Sequence, residues 1–209
     1  YNNGFTDTLM NLPEPSNLKL RLLRLWPLLV VVVPCLLLAC GGEPVREALR
    51  YDRFAILAGA WWRLFTGNFV HLGWSHLAED MAGCILLWLL FEDVLPGWRF
   101  PALIAVGALG VGLGLLVGDP DLRWYVGISG ALNTVWIVGA MLLMRRGDGI
   151  GWLLGVFLLV KLVYEQYLGP LPFSEATTGG VVVVDAHLYG AFTGALLVAA
   201  SLVWRRARV

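Results

Sequence analysis

The feature that most constrains this chain is a series of six long apolar runs separated by polar or charged segments. Hydrophobic residues make up 58% of the 209 residues and charged residues only 14%, whereas charged residues form about a quarter of a soluble domain. Runs of this kind predict membrane-spanning helices, so the chain is predicted to be an all-α polytopic membrane protein, a bundle of six transmembrane helices. The runs are Leu25–Leu38, Leu72–Phe91, Pro101–Val117, Ala131–Met144, Ile150–Leu168 and Val181–Trp204.

The distribution of charge predicts the surroundings and the orientation of the chain. The formal net charge is zero, so nothing favours nucleic acid as a partner, and the expected surroundings are the lipid bilayer. With the N-terminus inside, most basic residues, including Arg145 and Arg146, face the cytoplasm, as basic residues of membrane proteins usually do. Both termini are therefore predicted to be cytoplasmic. Residues 1–17 are expected to form a disordered N-terminal tail, and residues 18–206 the six-helix membrane domain.

Three reactive side chains are predicted to share one depth in the membrane. Counted back from the charged inner ends of their runs, His76 and Ser129 lie sixteen residues away and His187 eighteen, which is roughly 24–27 Å of helix. Asp80 follows His76 by one turn on the same helix face. Three such groups at one level, beneath a polar loop, indicate a water-filled site rather than unrelated packing contacts.

The chemistry that these side chains suggest is acyl transfer. Ser129 needs a base to take its proton, and a neutral His187 suits that role. Ser129 would also begin a helix, whose free backbone N–H groups favour developing negative charge, and Gly127 and Gly130 allow close backbone approach there. No orienting carboxylate is evident, because Asp185 points away from His187 on a helix. The prediction is therefore a Ser–His dyad.

Other polar residues have simpler interpretations. Lys161 and Glu165, one turn apart, are interpreted as an ion pair near the outer end of the fifth run. The rival chemistry is a metal site that includes His71 and His76, but no His-Glu-x-x-His motif occurs, and the two histidines are five residues apart, on different helix faces. We therefore expect neither a metal nor another cofactor.

Taken together, these motifs resemble those of the rhomboid family of intramembrane serine proteases, over roughly residues 18 to 206. The resemblance implies Ser129 as nucleophile, His187 as general base, and an oxyanion hole that includes His76 and the Ser129 backbone N–H. It also implies that the fifth helix is a lateral gate and the loop 169–183 a cap. The matching segments are Trp62-Arg63, His71-x4-His76, Gly127-Ile-Ser129-Gly130 and Ala186-His187-x-x-Gly190-Ala191-x-x-Gly194. The last of these contains a GxxxG pair, Gly190 and Gly194, which predicts tight helix contact.

The compact size is similar to the rhombosortase branch of the family. That resemblance implies single-span membrane protein substrates that end in a Gly-Gly motif, a transmembrane helix and a basic tail. It places the chain in the bacterial inner membrane, with an active site open to the periplasmic side. The alternative from another class is an inactive relative that binds transmembrane clients without cleaving them. Such relatives usually lose the serine or the histidine, and this chain keeps both.

One residue departs from the family pattern. Rhomboids usually carry an asparagine at the position of Asp80, where the amide donates a hydrogen bond to the oxyanion. We therefore expect an oxyanion hole of His76, Asp80 and Ser129 that is weakened rather than absent. Because a protonated carboxyl can still donate a hydrogen bond, activity is expected to rise as the pH falls toward 6.

Overall fold

The computed structural model describes residues 24–206, and it is mostly helical. The predicted N-terminal tail, residues 1–17, lies outside the described residues. A short 3-10 helix covers Gly67–Phe69, and two short strands, β1 (Tyr51–Asp52) and β2 (Trp124–Tyr125), pair antiparallel. In chain order the α-helices are α1 (Trp26–Cys40), α2 (Gly42–Leu49), α3 (Arg53–Leu57), α4 (Arg63–Thr66), α5 (Trp74–Phe91), α6 (Arg99–Gly118), α7 (Ser129–Arg145), α8 (Gly149–Leu168), α9 (Ser174–Thr178) and α10 (Val184–Arg206).

The long helices coincide with the apolar runs, but fewer of them meet the requirements of a membrane span. Within residues 24–206, α6, α8 and α10 are long and apolar enough to cross a membrane, and α1 with α2, bent by 118°, would make a fourth span. Helix α7 is apolar but has only 17 residues. The predicted count of six transmembrane helices is therefore not confirmed, and the structure supports three to four candidate spans.

The first loop is ordered by hydrogen bonds to backbone carbonyls. The loop contains three short helices, α2, α3 and α4. Arg63 Nη1 donates to the carbonyl oxygens of Glu47, at 2.9 Å, and Arg50, at 3.0 Å. Tyr51 in β1 pairs with Tyr125 in β2. This strand pair joins the first loop to the segment that leads into α7.

Helix α7 packs closely against α10 because glycines remove the side chains between the two backbones. A Cβ on Gly190 would overlap the carbonyl oxygen of Gly130, and a Cβ on Gly194 would overlap the side chain of Ile137. Thr134 Oγ1 donates to the carbonyl oxygen of Gly190 at 2.7 Å. The tight contact expected from the GxxxG spacing is confirmed, and it brings the helix of His187 against the helix of Ser129.

Candidate active site

The loop before Ser129 is held in one conformation by its own hydrogen bonds. The Tyr125 hydroxyl donates to the Gly127 carbonyl oxygen at 2.6 Å, and the Gly127 N–H donates to the Gly67 carbonyl at 3.2 Å. Burial raises the pKa of Tyr125, which keeps the hydroxyl protonated and able to donate. Gly127 has φ of +114°, and a Cβ there would lie 2.8 Å from the ring of His76, so only glycine fits. Helix α7 then begins at Ser129, where the first N–H groups have no helical acceptor.

The side chains of Ser129 and His187 are in direct contact. Ser129 Oγ lies 3.0 Å from His187 Nε2, within hydrogen-bonding distance. His187 is 7% exposed. The two residues come from α7 and α10, and the contact follows from the close glycine-mediated approach of these helices.

The second ring nitrogen of His187 faces a buried carboxylate. His187 Nδ1 lies 2.9 Å from Glu165 Oε2, and the Lys161 ammonium donates to the same oxygen at 2.7 Å. Lys161 Nζ is also 3.2 Å from His187 Nδ1. This geometry corrects two expectations: the Lys161–Glu165 pair is not merely an ion pair within one helix, and a carboxylate does contact the histidine. Asp185 is not that carboxylate, since it accepts a hydrogen bond from Gln166.

The depth count could have found Glu165. Helix α8 begins at Gly149, and Glu165 lies sixteen residues beyond it, roughly 24 Å along the helix. That is the depth found for Ser129 when it is counted from Arg145.

A second polar cluster surrounds the side chain of Asp80. The Ile128 N–H donates to Asp80 Oδ2 at 3.0 Å, and Nε2 of His71 and of His76 lie 3.1 and 3.4 Å from the same oxygen. The Leu72 N–H donates to His76 Nδ1 at 3.4 Å, so in the neutral ring the proton is on Nε2. His71 precedes α5, which begins at Trp74, so the expectation that the two histidines occupy different faces of one helix is wrong.

Most of the polar side chains of the two clusters line one cavity of about 630 Å³. Its walls come from α5, α7, α8 and α10, and part of the lining comes from the segments 121–126 and 171–183. The three side chains predicted to share a depth, His76, Ser129 and His187, all line it, as do Asp80 and Glu165. The segment expected to form the cap, residues 169–183, therefore contributes part of the lining of the cavity that contains the serine.

The remaining predicted residues have structural positions around the cavity. Gly130 and Gly190 form the helix crossing described above. Arg63 binds loop carbonyls, Trp62 is 57% exposed, and neither residue lines the cavity. Asn133, one turn after Ser129, donates to the Ser129 carbonyl oxygen at 2.8 Å. Its side chain lines the cavity below the serine.

Comparisons with known proteins identify the family. Residues 58–204 match the family described as "Rhomboid domain". The chain is also 25% identical, over 152 residues, to the Bacillus subtilis (strain 168) protein named "Putative rhomboid protease YdcA", and the match covers 73% of each chain. The matched range contains Ser129, His187 and the cavity between them. The chain is therefore an integral membrane protein that belongs to the rhomboid family.

Proposed function

We propose that the chain is an intramembrane serine endopeptidase, with Ser129 as nucleophile and His187 as general base. The observation that carries the proposal is the 3.0 Å contact between Ser129 Oγ and His187 Nε2 in a cavity between helices. A serine hydroxyl is a weak nucleophile until an adjacent base takes its proton. Membership of the rhomboid family, whose members are generally intramembrane serine proteases, supports the same reaction.

The reaction proceeds in two stages. Ser129 Oγ attacks the carbonyl carbon of the substrate while its proton moves to His187 Nε2, and a tetrahedral oxyanion forms. The C–N bond then breaks, His187 gives the proton to the leaving amine, and the substrate acyl group remains bonded to Oγ. In the second stage His187 takes a proton from water, whose oxygen attacks the acyl carbon; the C–Oγ bond then breaks, the carboxylic acid product leaves, and His187 returns the proton to Ser129 Oγ.

Two donors are positioned to stabilise the oxyanion. The Ser129 N–H is at the start of α7, where helix N–H groups are unpaired. The His76 Nε2–H is the second donor, and its ring lies against Gly127, where a Cβ would crowd it. Asp80 completes the predicted set, although its Oδ2 accepts a hydrogen bond from Ile128. An ionised carboxylate has no proton to donate, so Asp80 contributes a donor only when it is protonated and otherwise opposes the negative charge of the oxyanion.

The substrates are single-span membrane proteins cut at or near their transmembrane segment. The cavity is lined in part by α5, α7, α8 and α10, which supports lateral entry of a substrate to Ser129 from the bilayer. We propose the rhombosortase substrate class: a C-terminal Gly-Gly motif, one transmembrane helix and a basic tail. Cleavage would take place on the periplasmic side of a bacterial inner membrane.

Co-reconstitution in liposomes tests the proposal. The enzyme is combined with a set of single-span proteins, one ending in the Gly-Gly motif, helix and basic tail, and a matched one in which Leu-Leu replaces Gly-Gly. Wild type should cleave the Gly-Gly substrate, whereas Ser129→Ala and His187→Ala should not. Equal cleavage of both substrates would contradict the substrate class. No cleavage of any substrate, together with stable binding of them, would favour the inactive client-binding alternative.

A further inference from the structure

We propose that Glu165 is a positioning residue that extends the Ser129–His187 pair to a Ser–His–Glu triad. Lys161 balances the charge of the Glu165 carboxylate. This inference rests on the proposed serine protease function. The three members come from three helices: Ser129 from α7, Glu165 from α8 and His187 from α10. Two contacts carry the inference: His187 Nε2 lies 3.0 Å from Ser129 Oγ, and His187 Nδ1 lies 2.9 Å from Glu165 Oε2.

The geometry around Glu165 locates the proton of His187. A lysine ammonium has donors but no acceptor, so Glu165 Oε2 accepts from Lys161 at 2.7 Å. The same oxygen is 2.9 Å from His187 Nδ1, and two acceptors at that distance would repel each other. Nδ1 therefore carries the proton and donates it to Glu165. In the neutral ring, Nε2 then presents a lone pair to Ser129, which is the tautomer that a general base needs.

The contact between Lys161 and His187 does not change this assignment. If Lys161 donated to Nδ1 across the 3.2 Å separation, the proton would be on Nε2 and would point at Ser129. His187 could then not accept the serine proton. A hydrogen bond from Lys161 to Nδ1 would also leave two acceptors, Nδ1 and Glu165 Oε2, facing each other at 2.9 Å.

Burial strengthens the interaction between Glu165 and His187. Glu165 is 3% exposed, and hydrogen bonds are electrostatically stronger in a low-dielectric interior. When His187 takes the serine proton it becomes an imidazolium, and the carboxylate on its far side stabilises that charge without itself taking a proton. Lys161 offsets the cost of burying the carboxylate in the resting state.

The triad depends on the position of α8. The inner half of α8 is joined to α7 by the hydrogen bond from Trp136 Nε1 to the Leu154 carbonyl at 3.1 Å. The outer half contacts α10 through Glu165, Lys161 and the 3.1 Å hydrogen bond from Gln166 to Asp185. Movement of the outer half of α8 away from α10 would therefore remove the carboxylate from His187 while leaving Ser129 in contact with it.

Nitrogen-15 NMR of the full-length protein tests the proton location directly. The chain has only three histidines, so 15N-histidine labelling in detergent gives few signals, and His187→Ala identifies the relevant pair. We expect Nδ1 of His187 to be protonated and Nε2 unprotonated in wild type. In Glu165→Gln the population should shift toward the Nε2–H tautomer, because Lys161 can then donate to Nδ1. Tyr167→Phe is the matched control on α8, because Tyr167 is 83% exposed, and it should keep the wild-type tautomer.

Kinetics provide the second readout. Glu165→Gln should lower kcat by about 10²- to 10⁴-fold, the range expected when a base loses its orienting carboxylate, with KM changed less than threefold. Tyr167→Phe should keep kcat within threefold of wild type. An unchanged tautomer in Glu165→Gln would overturn the proposal, and so would a kcat within threefold of wild type. The NMR result does not depend on turnover, so a failure of the protease assignment, seen as cleavage that survives Ser129→Ala, would be recognised separately.

Discussion

At the residue scale, Asp80 is the position where charge most directly opposes the proposed reaction. Its Oδ2 accepts the Ile128 N–H and lies beside the ring of His76. A negative charge near the developing oxyanion raises the barrier, whereas an amide could accept the same N–H and donate to the oxyanion. We expect Asp80→Asn to raise kcat about tenfold near neutral pH, which is less than the roughly 10²- to 10³-fold effect of a complete oxyanion-hole donor.

The control for this substitution is Glu79→Gln. Glu79 is a neighbouring carboxylate that lines the same cavity but is exposed, so its loss should change kcat less than twofold. Cleavage rates of both variants, measured from pH 6 to 8, provide the comparison. Wild-type turnover in Asp80→Asn would show that Asp80 does not act on the oxyanion.

Lys161 should contribute to stability as well as to the site. Removing one partner of a buried ion pair leaves an uncompensated charge, so Lys161→Met is expected to lower the free energy of unfolding by about 3 kcal/mol. The double substitution Lys161→Met with Glu165→Leu replaces the pair by apolar groups and should recover most of that loss. Unfolding in mixed detergent and SDS micelles measures both. A double variant no more stable than the single one would contradict the interpretation.

Most of the site residues could be predicted from the sequence, but the contact of Glu165 with His187 that completes the triad could not. Ser129, His187 and His76 are reactive groups in otherwise apolar segments, so their shared depth follows from counting along helices. Glu165 was missed because Lys161, one turn away, explains its presence within a single helix. Only the tertiary packing of α8 against α10 shows that His187 is a second partner.

At the element scale, the crossing of α7 and α10 holds Ser129 and His187 together. A Cβ on Gly190 would meet the backbone carbonyl of Gly130, which cannot rotate away as a side chain could. We expect Gly190→Ala to separate the helices, to cost about 1–3 kcal/mol of stability and to reduce substrate cleavage at least tenfold. The matched control is Gly149→Ala at the start of α8, where nothing lies within 4 Å of the added methyl group.

Unfolding in mixed detergent and SDS micelles measures the stability of both glycine variants, and the liposome assay measures their substrate cleavage. Gly149→Ala should leave stability and cleavage close to wild type, because it adds a helix-favouring residue in open space. If Gly190→Ala behaved like Gly149→Ala, the close glycine contact would not be what positions His187.

Long helices were predictable at this scale because apolar runs specify them locally. The strand pair β1–β2 was not predicted, since each strand is only two residues long and exists through a distant partner. Tyr51 and Tyr125 pair across 74 positions of the chain, and no local pattern in the sequence indicates this. The pair nonetheless orders the segment that ends at Ser129.

At the scale of the whole molecule, the proposed orientation places the cap segment outside and the α7–α8 turn inside. In a Cys40→Ser background, whose remaining cysteines Cys35 and Cys84 are buried, we expect Glu175→Cys in α9 to react with a membrane-impermeant maleimide added to spheroplasts. Gly147→Cys should react only after the membrane is permeabilised, since Arg145 and Arg146 beside it favour the cytoplasm. The reverse pattern would contradict the orientation.

The most direct test of the protease assignment is the site of covalent labelling by a fluorophosphonate. Such probes phosphonylate an activated serine, and mass spectrometry of the digested protein locates the modified residue. We predict one adduct, on the peptide that contains Ser129, and its loss in both Ser129→Ala and His187→Ala. Labelling that persists in folded Ser129→Ala, or an unlabelled wild-type protein under conditions that label a known serine protease, would contradict the account.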